Sequence, residues 1–321
     1  MLRVCALRAA CCEFACASGG AAHQTELGLV PSSHSSTLSR MGCNWNRVVL
    51  GRSAVPSSAL GIGSSFGIQS PDLEYAFERG INYFYWGSVR RPGFGRAVRG
   101  LARHHRDRMV IVVQSYTRVG SLMRCSLLSG LRKLGADYAD FLLLGWWNEL
   151  PPDRILDAAR ALQEQGLARH LMISCHHRPS FQVYAELPDI DAVMVRYNAA
   201  HPGAEEEVFP HLGEDPPGVV AYTATRWSDL VNPSLTPEGL ATPRASDCYR
   251  FVLSNSSVNC CITGPKNRAE LDEAMCALDR GPMDPDELSW MRLVGAGVKK
   301  HARPHSGSMS LVDRLTGIHS P

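Results

Sequence analysis

Four side chains able to transfer a proton or stabilise charge lie at or just after short apolar runs in the sequence. The run "INYFYW" is followed at once by polar residues, with Tyr85 near its end and Arg90 five positions later, whereas Gln114 and His176 lie at the ends of two later runs. A phenol or an imidazole can donate a proton to a reacting group, and a nearby guanidinium can lower a phenol pKa from its usual value of about 10. Tyr85, Arg90, Gln114 and His176 are therefore the candidate catalytic residues.

A second candidate site follows the last apolar run, in "TGPKNRAELDEAM". The turn at Gly264 leads into a helix whose first turn is predicted to contain Lys266 and Arg268. Backbone N–H groups at a helix start favour an anion, and an adjacent lysine or arginine adds an ion pair. The segment predicts a phosphate site, and the alternative is an exposed helix start with solvated cations.

Eight short apolar runs must position these side chains. They lie at residues 58–63, 81–86, 109–116, 140–147, 170–175, 192–198, 219–225 and 258–263. Each run is shorter than a typical stable helix, and apolar residues on both faces are typical of parallel strands covered by helices. Amphipathic segments lie between most of the runs, and Gly135 and Gly166 are stop signals for two of the predicted helices.

This alternation predicts a single-domain α/β fold, a (β/α)8 TIM barrel. A doubly wound open sheet uses the same alternation, but the count of eight runs favours the barrel, as does the absence of a Gly-x-Gly-x-x-Gly turn after any early run. The active face of such a barrel lies where the strands end, so the candidate side chains are expected to converge there.

Composition excludes several classes of protein. The 321 residues include 33 basic and 31 acidic side chains, and a formal net charge of +2 gives no electrostatic footprint for nucleic acid or an anionic membrane. No apolar run approaches the roughly 18 residues of a membrane span. The eleven cysteines indicate neither a disulfide framework nor a zinc site, so we expect a soluble, cytoplasmic protein with reduced thiols and no metal.

Three segments are predicted from local composition. Residues 1–44 contain clusters of Ser, Gly and Ala without periodicity, which indicates a disordered extension or a start codon assigned too early. Residues 45–303 contain the barrel pattern, and residues 304–321 are expected to be a flexible tail. The oligomeric state is not indicated by the sequence.

Much of the chain, from about Val48 to Ala277, resembles the aldo/keto reductase family of nicotinamide-dependent barrels. The resemblance rests on the order and spacing of "VVLGRSAVPSSALGIGSSFG", "ERGINYFYWGS", "LRKLGADYADFLLLGWW", "GLARHLMISC", "VRYNAAHPGAEEEVFPHL", "GVVAYTATRW" and "YRFVLSNSSVNCCITGPKNRAELDEAM". The family implies a barrel that transfers hydride from NADPH to a carbonyl, with a tyrosine acid tuned by lysine, aspartate and histidine neighbours.

The resemblance departs from the family at the chemical positions. Tyr85 stands in place of the aspartate and Arg90 in place of the acid tyrosine, while Gln114 replaces the lysine and Gly145 the histidine. All four replacements remove the usual proton-donating set, although Tyr85 provides a phenol nearby.

The cofactor positions match more closely. Ser174 aligns with the serine that touches the carboxamide, Tyr222 aligns with the tyrosine that stacks on nicotinamide, and Thr223 and Thr225 follow towards the pyrophosphate. Further along the chain, Glu270 replaces an arginine that often meets the adenosine phosphate, so Lys266 and Arg268, after Gly264, would have to take its place. The expected cofactor is NADP, with NAD as the alternative.

Three functional hypotheses follow. The first is an NAD(P)H-dependent oxidoreductase with a rebuilt site, in which Tyr85 or Arg90 protonates or polarises a carbonyl substrate of aromatic or anionic character and His176 or His177 assists. The second is a non-catalytic nicotinamide-nucleotide-binding protein, such as a sensor or partner subunit. The third is a different chemistry on an aromatic, anionic ligand in the same barrel.

Overall fold

The structure, a computed structural model, describes residues 46–87 and 91–301. These residues begin with an antiparallel hairpin of β1 (Arg47–Leu50) and β2 (Val55–Ser58). Eight parallel strands then form a closed barrel in chain order. They are β3 (Leu60–Gly63), β4 (Tyr83–Trp86), β5 (Val110–Gln114), β6 (Ala139–Trp146), β7 (Ala168–Cys175), β8 (Ile190–Arg196), β9 (Gly218–Tyr222) and β10 (Cys260–Thr263).

The barrel closes where β10 pairs with β3, through partners such as Cys261 and Leu60. The predicted (β/α)8 barrel is therefore confirmed, and each of the eight predicted runs overlaps one of its strands. The open sheet, which was the structural alternative, is excluded because a closed barrel has no edge strand.

Helices of the described residues lie between and after the strands. They are α1 (Ser70–Glu78), α2 (Pro92–His105), α3 (Gly120–Leu134), α4 (Asp153–Glu164), α5 (Ser180–Glu186), α6 (Ala204–Glu207), α7 (Ala245–Leu253), α8 (Arg268–Arg280) and α9 (Pro285–His301). As predicted, α3 ends at Gly135, which adopts a left-handed conformation that glycine tolerates without strain. None of the helices in the described ranges is long and apolar enough to cross a membrane.

Asn82, the residue just before β4, attaches the hairpin to the barrel. Its side-chain oxygen accepts a hydrogen bond from the Ser58 amide at 2.7 Å, and its side-chain nitrogen donates to the Arg108 carbonyl at 3.1 Å. The buried amide thus pairs a backbone N–H of the hairpin and a backbone carbonyl of the segment before β5.

The interior of the barrel is filled by side chains that alternate along the strands. Tyr83, Phe141, Met172, Ala192 and Cys260 belong to this inner cluster, and Tyr83 is fully buried. Gly61 makes room for the Tyr83 ring, because a Cβ atom at Gly61 would lie 2.5 Å from a carbon of that ring. The pattern leaves the next inward positions of each strand to form the mouth of the barrel.

The predicted extension and tail fall outside the described residues, so their expected disorder stays a prediction.

Candidate functional site

The candidate site is formed by inward-facing residues at the carboxyl ends of the barrel strands. We call this region the barrel mouth. Along β8, Ala192 and Met194 face the interior, so Arg196 two residues later reaches the mouth. On the neighbouring strand β9, Tyr222 pairs in register with Arg196 and packs against the inner cluster. Tyr85 packs against the same cluster from β4.

Tyr85 and Gln114 lie together, as their placement on adjacent strands predicts. The Tyr85 hydroxyl donates a hydrogen bond to the side-chain oxygen of Gln114. Burial raises the pKa of Tyr85, and the nearby Tyr116 and Tyr222 phenols raise it further. The phenol is therefore neutral near pH 7, and its hydrogen is directed at Gln114.

Gly145 shapes the end of β6. It has a φ of +87°, which glycine adopts readily, and the register of β6 with β7 shifts between Leu143 and Trp146. After this bulge Trp146 pairs with Ser174, and its indole N–H donates to the side-chain oxygen of Asn148 at 3.1 Å. The bulge therefore places an indole, with its N–H held, beside the mouth.

Asn148 also holds the loop that contains His176. Its side-chain oxygen accepts hydrogen bonds from the backbone N–H groups of His176 and His177, each at 3.1 Å. The His176 ring lies 4.9 Å from the Trp146 ring, measured between centroids. The residue as a whole is exposed, but desolvation of its ring by the surrounding atoms, followed by the charge of Arg196, lowers the pKa of His176 to about 4. The imidazole is neutral at physiological pH.

Ser174 and Tyr222, which the sequence analysis assigned to the cofactor, lie on strands on either side of β8. Ser174 is buried, and the enclosed Tyr222 hydroxyl makes no hydrogen bond of standard geometry to a described residue. Burial raises the pKa of Tyr222 to about 12, although Arg196 and the Ser174 hydroxyl oppose part of the shift. A neutral phenol with an unused donor thus faces the mouth.

The loop after β9 has an unusual backbone. Four of its residues have positive φ although none is glycine: Thr223 (+58°), Arg226 (+50°), Trp227 (+53°) and Ser228 (+76°). Asn198 holds the loop by donating to the Thr223 carbonyl at 2.9 Å, and Asp229 pairs with Arg226 at 2.8 Å. Strained backbone of this kind clusters at functional sites, where the surrounding structure enforces it.

Thr225, in the same loop, is half-buried, and its carbonyl accepts a hydrogen bond from Leu230. Thr223 and Thr225 both lie in the loop that continues directly from β9, so the fold keeps them next to the mouth.

The predicted phosphate segment lies after β10. Helix α8 begins at Arg268, with Asn267 as its cap, so Lys266 precedes the helix instead of lying in its first turn. The Glu270 carboxylate accepts a hydrogen bond from the Lys266 backbone N–H at 2.9 Å, and Asn267 accepts one from the Glu270 N–H at 3.0 Å. Two of the free N–H groups at this helix start are therefore bound by the chain's own side chains.

Arg268 is likewise engaged. Its guanidinium pairs with Asp72 at 2.9 Å and lies 3.7 Å from the centroid of the Tyr75 ring. Gly264 lies against Phe66, because a Cβ atom at Gly264 would be 2.2 Å from a carbon of the phenyl ring. The Lys266 side chain is exposed.

Arg90 lies outside the described residues, so the structure says nothing of its position. Within the residues that are described, no group of three or more His, Cys, Asp or Glu side chains is arranged to hold a metal ion.

Part of the sequence that forms these strands matches a known protein family. The sequence matches the model of the aldo/keto reductase family over residues 60–232, a range that runs from the first barrel strand to beyond the strained loop. The chain belongs to the aldo/keto reductase family. The recognition made from the sequence motifs is confirmed.

Solved structures share the aldo/keto reductase fold. Aldo-keto reductase AKR11C1 from Bacillus halodurans, in its holo form, superposes with a TM-score of 0.68 at 20% sequence identity, covering 78% of this chain and 97% of that chain. An aldo/keto reductase from Klebsiella pneumoniae, in complex with NADP and acetate, has a TM-score of 0.66 at 21% identity, covering 78% and 95%. At these identities the likeness concerns the fold.

Arg196 is a mouth residue of this aldo/keto reductase that was not among the predicted site residues. The signal that identifies it is the alternation of β8, in which Ala192, Met194 and Arg196 share one face. Glu270 and Asp72 were also missed as partners of the predicted phosphate segment, and Asp72 lies nearly 200 positions away from Arg268 in the sequence.

Proposed function

We propose that the chain binds a nicotinamide dinucleotide at the barrel mouth and reduces a carbonyl substrate. The observation that carries this proposal is the enclosed Tyr222 hydroxyl, which lacks a partner beside the buried Ser174. Buried polar groups normally have hydrogen-bond partners, so an orphaned donor in a mouth is explained by a ligand. Membership of the aldo/keto reductase family supplies the class of that ligand.

The residues present fit the nicotinamide end of such a cofactor. By resemblance to the family, Ser174 would bind the carboxamide and the Tyr222 ring would lie against nicotinamide. Thr223 and Thr225 would face the diphosphate from the strained loop after β9.

At the adenosine end the fit is weaker. Lys266 remains for a phosphate beside Gly264, whereas Asp72 already holds Arg268 and Glu270 adds a negative charge. NADP is the proposed cofactor, since solved relatives are complexes with NADP and NADPH, and NAD is the alternative.

A nicotinamide cofactor, when bound, would supply the hydride for the carbonyl carbon, and a proton would have to reach the carbonyl oxygen to complete the alcohol. The Tyr85 hydroxyl carries a proton, but in this structure it is engaged in a hydrogen bond to the side-chain oxygen of Gln114. Neutral His176 can polarise a carbonyl by donating an N–H hydrogen bond, as a neutral imidazole with a lowered pKa does. Arg90 is a further candidate. Orientation of the two reactants supplies another part of the acceleration.

A second candidate function is nucleotide binding without reduction. It is favoured by the Tyr85–Gln114 hydrogen bond and the low pKa of His176, because neither group offers a proton freely near neutral pH. The third candidate, a different chemistry on an aromatic anionic ligand, predicts that NAD(P)H does not bind.

The first experiment is titration of the purified full chain with NADPH and with NADH, followed by tryptophan fluorescence. Trp146 contacts His176 in the mouth, so we expect saturable quenching at micromolar concentrations. Tyr222→Phe and Ser174→Ala should weaken binding, whereas Tyr138→Phe, whose ring packs under Arg106 and away from the mouth, should not. Absence of quenching by both nucleotides, checked by calorimetry, would leave the third candidate.

A further inference from the structure

Arg196 is a half-buried cation that no group among the described residues neutralises. No hydrogen bond or ion pair involves its guanidinium in the described part of the chain, and no carboxylate there lies within ion-pair distance. Two other arginines of this region differ, since Arg226 pairs with Asp229 and Arg178 with Glu207. An arginine removed from water normally has a partner, because desolvating an unpaired charge is unfavourable.

The neighbours of Arg196 are hydrogen-bond donors rather than acids. Tyr222 faces it in register from β9, and its hydroxyl makes no hydrogen bond of standard geometry to a described residue. On the other side, β7 ends at Cys175, paired with Val195, so His176 follows beside Arg196. The register of β8 with its two neighbouring strands thus places Arg196 between these two rings. A guanidinium and an unused phenol therefore face one space.

The surroundings of this space are planar and aromatic. Trp146 packs against His176 with ring centroids 4.9 Å apart, and the His176 and Tyr222 rings are nearly parallel, with centroids 6.5 Å apart. A flat group attached to an anion would contact these rings while its charge met the guanidinium, which binds carboxylates in a planar, two-pronged geometry.

We propose that Arg196 binds the carboxylate of the substrate, so that the substrate class is a carbonyl compound carrying a carboxylate beside a planar group. This inference rests on the proposed carbonyl reduction, which it deepens by naming the substrate. Arg196 acts here as a specificity-determining residue, because a neutral carbonyl compound would leave its charge unpaired.

The kinetic test uses the full chain, NADPH and two matched ketones, phenylglyoxylate and its uncharged methyl ester. In Arg196→Gln we expect kcat/KM for phenylglyoxylate to fall by roughly tenfold or more, the usual effect of losing a hydrogen bond to a charged group, while the ester changes little. Arg196→Lys should recover part of the loss. Arg124→Gln, on the exposed face of α3, is the matched control and should leave both substrates unchanged. Equal losses for ketone and ester would overturn the inference.

A binding test separates this inference from the proposed function. Calorimetry with benzoate and its neutral analogue benzamide needs no turnover, and we expect benzoate to bind more tightly, with the difference abolished in Arg196→Gln. If this holds but no carbonyl compound is reduced, the anion site stands and the reductase proposal fails. If benzoate does not bind, or if Arg196→Gln weakens NADPH while benzoate is unaffected, the inference is wrong and the second result assigns Arg196 to the cofactor diphosphate.

Folding of the variants is checked by thermal melting. Because Arg196 has no ion-pair partner within residues 46–87 and 91–301, Arg196→Met should melt at the same temperature as the wild type or higher. A cooperative melt in this second variant, with the same loss of benzoate binding, excludes misfolding as the cause. A large drop in melting temperature would indicate a structural role and contradict the inference.

Discussion

Tyr85 donates its phenolic hydrogen to Gln114, and this bond decides how the residue could act in catalysis. If Tyr85 is the proton source, Tyr85→Phe should lower kcat by roughly 10²- to 10⁴-fold, the typical contribution of a general acid. The dissociation constant of NADPH should be unchanged, since the phenol is not a proposed cofactor contact. Single-turnover oxidation of NADPH with a panel of carbonyl compounds measures both effects.

Tyr116→Phe provides the matched control for this substitution. Tyr116 follows the same strand as Gln114 but is 57% exposed, so loss of its hydroxyl should leave kcat intact. Equal rates in wild type and Tyr85→Phe would show that the proton comes from elsewhere, and a wild type that binds NADPH without oxidising it would favour the non-catalytic candidate.

Glu270 places a negative charge where the adenosine phosphate of NADPH is proposed to lie. Its carboxylate accepts from the Lys266 backbone N–H, and Gln keeps that acceptor while removing the charge. Charges at a helix start contribute about 0.3–1 kcal/mol, so Glu270→Gln should tighten NADPH binding by roughly two- to fivefold. NADH, which lacks the extra phosphate, should respond less.

The control for Glu270→Gln lies at the other end of the same helix. Asp279→Asn removes an equal charge near Arg79 at the end of α8, and both nucleotides should bind it as they bind the wild type. A Glu270→Gln variant that gains equally for NADH and NADPH would mean that Glu270 does not sense the extra phosphate.

Among the elements, β3 and β4 depend on one another through Gly61 and Tyr83. A methyl group at Gly61 would lie 2.5 Å from the buried Tyr83 ring, which has no room to move inside a closed barrel. Gly61→Ala should therefore lower the free energy of unfolding by about 1–3 kcal/mol, the usual effect of overpacking a core. Urea unfolding followed by circular dichroism measures it.

Gly100→Ala tests whether that loss is specific to crowding. Gly100 is exposed on α2, and a Cβ atom there would meet nothing closer than 4.0 Å. The alanine should stabilise the helix by about 0.5–1 kcal/mol through its better helix propensity. Stabilisation by both substitutions would refute the packing role of Gly61.

The strands could be predicted because a parallel barrel strand is buried on both faces and must be apolar nearly throughout. The run "FLLLGWW" shows the limit of that reasoning, since the bulge at Gly145 and the resulting position of Trp146 depend on pairing with β7. Likewise, the alternation on β8 places Arg196 in the mouth, but the absence of a partner is a property of the assembled strands.

Across the whole molecule, contacts between distant segments determine what the sequence could not indicate. Lys266 and Arg268 suggest an open cationic site when read locally, yet Arg268 is held by Asp72 of α1. The charge balance of a site depends on such partners, and no local spacing reveals them. The Ser174 and Tyr222 positions were predictable because each lies at the inward end of a strand whose register the barrel enforces.

The response of the whole fold to acid follows from two imidazoles near the mouth. Desolvation lowers the pKa of His201 to about 4, with Arg196 as the next cause, as at His176. In the unfolded chain these imidazoles titrate near the ordinary pKa of about 6.5. Between those values the unfolded state binds protons that the folded state does not, so stability is present above about pH 6.5 and is lost as the pH falls towards about 4.

We therefore expect the urea midpoint of the wild type to be lower at about pH 5 than at about pH 7.5, and the decrease to be smaller in His176→Gln/His201→Gln. His211→Gln, an exposed substitution in the turn Phe209–His211, is the matched control. Glu287 affects stability in a lower pH range. Hydrogen bonds from Arg250 lower the pKa of its carboxyl to about 2, so its contribution to folding stability is lost only as the pH falls below the ordinary carboxyl pKa towards that value. A double variant whose midpoint falls as steeply as that of the wild type between about pH 7.5 and about pH 5 would show that the fold keeps neither imidazole neutral at about pH 5.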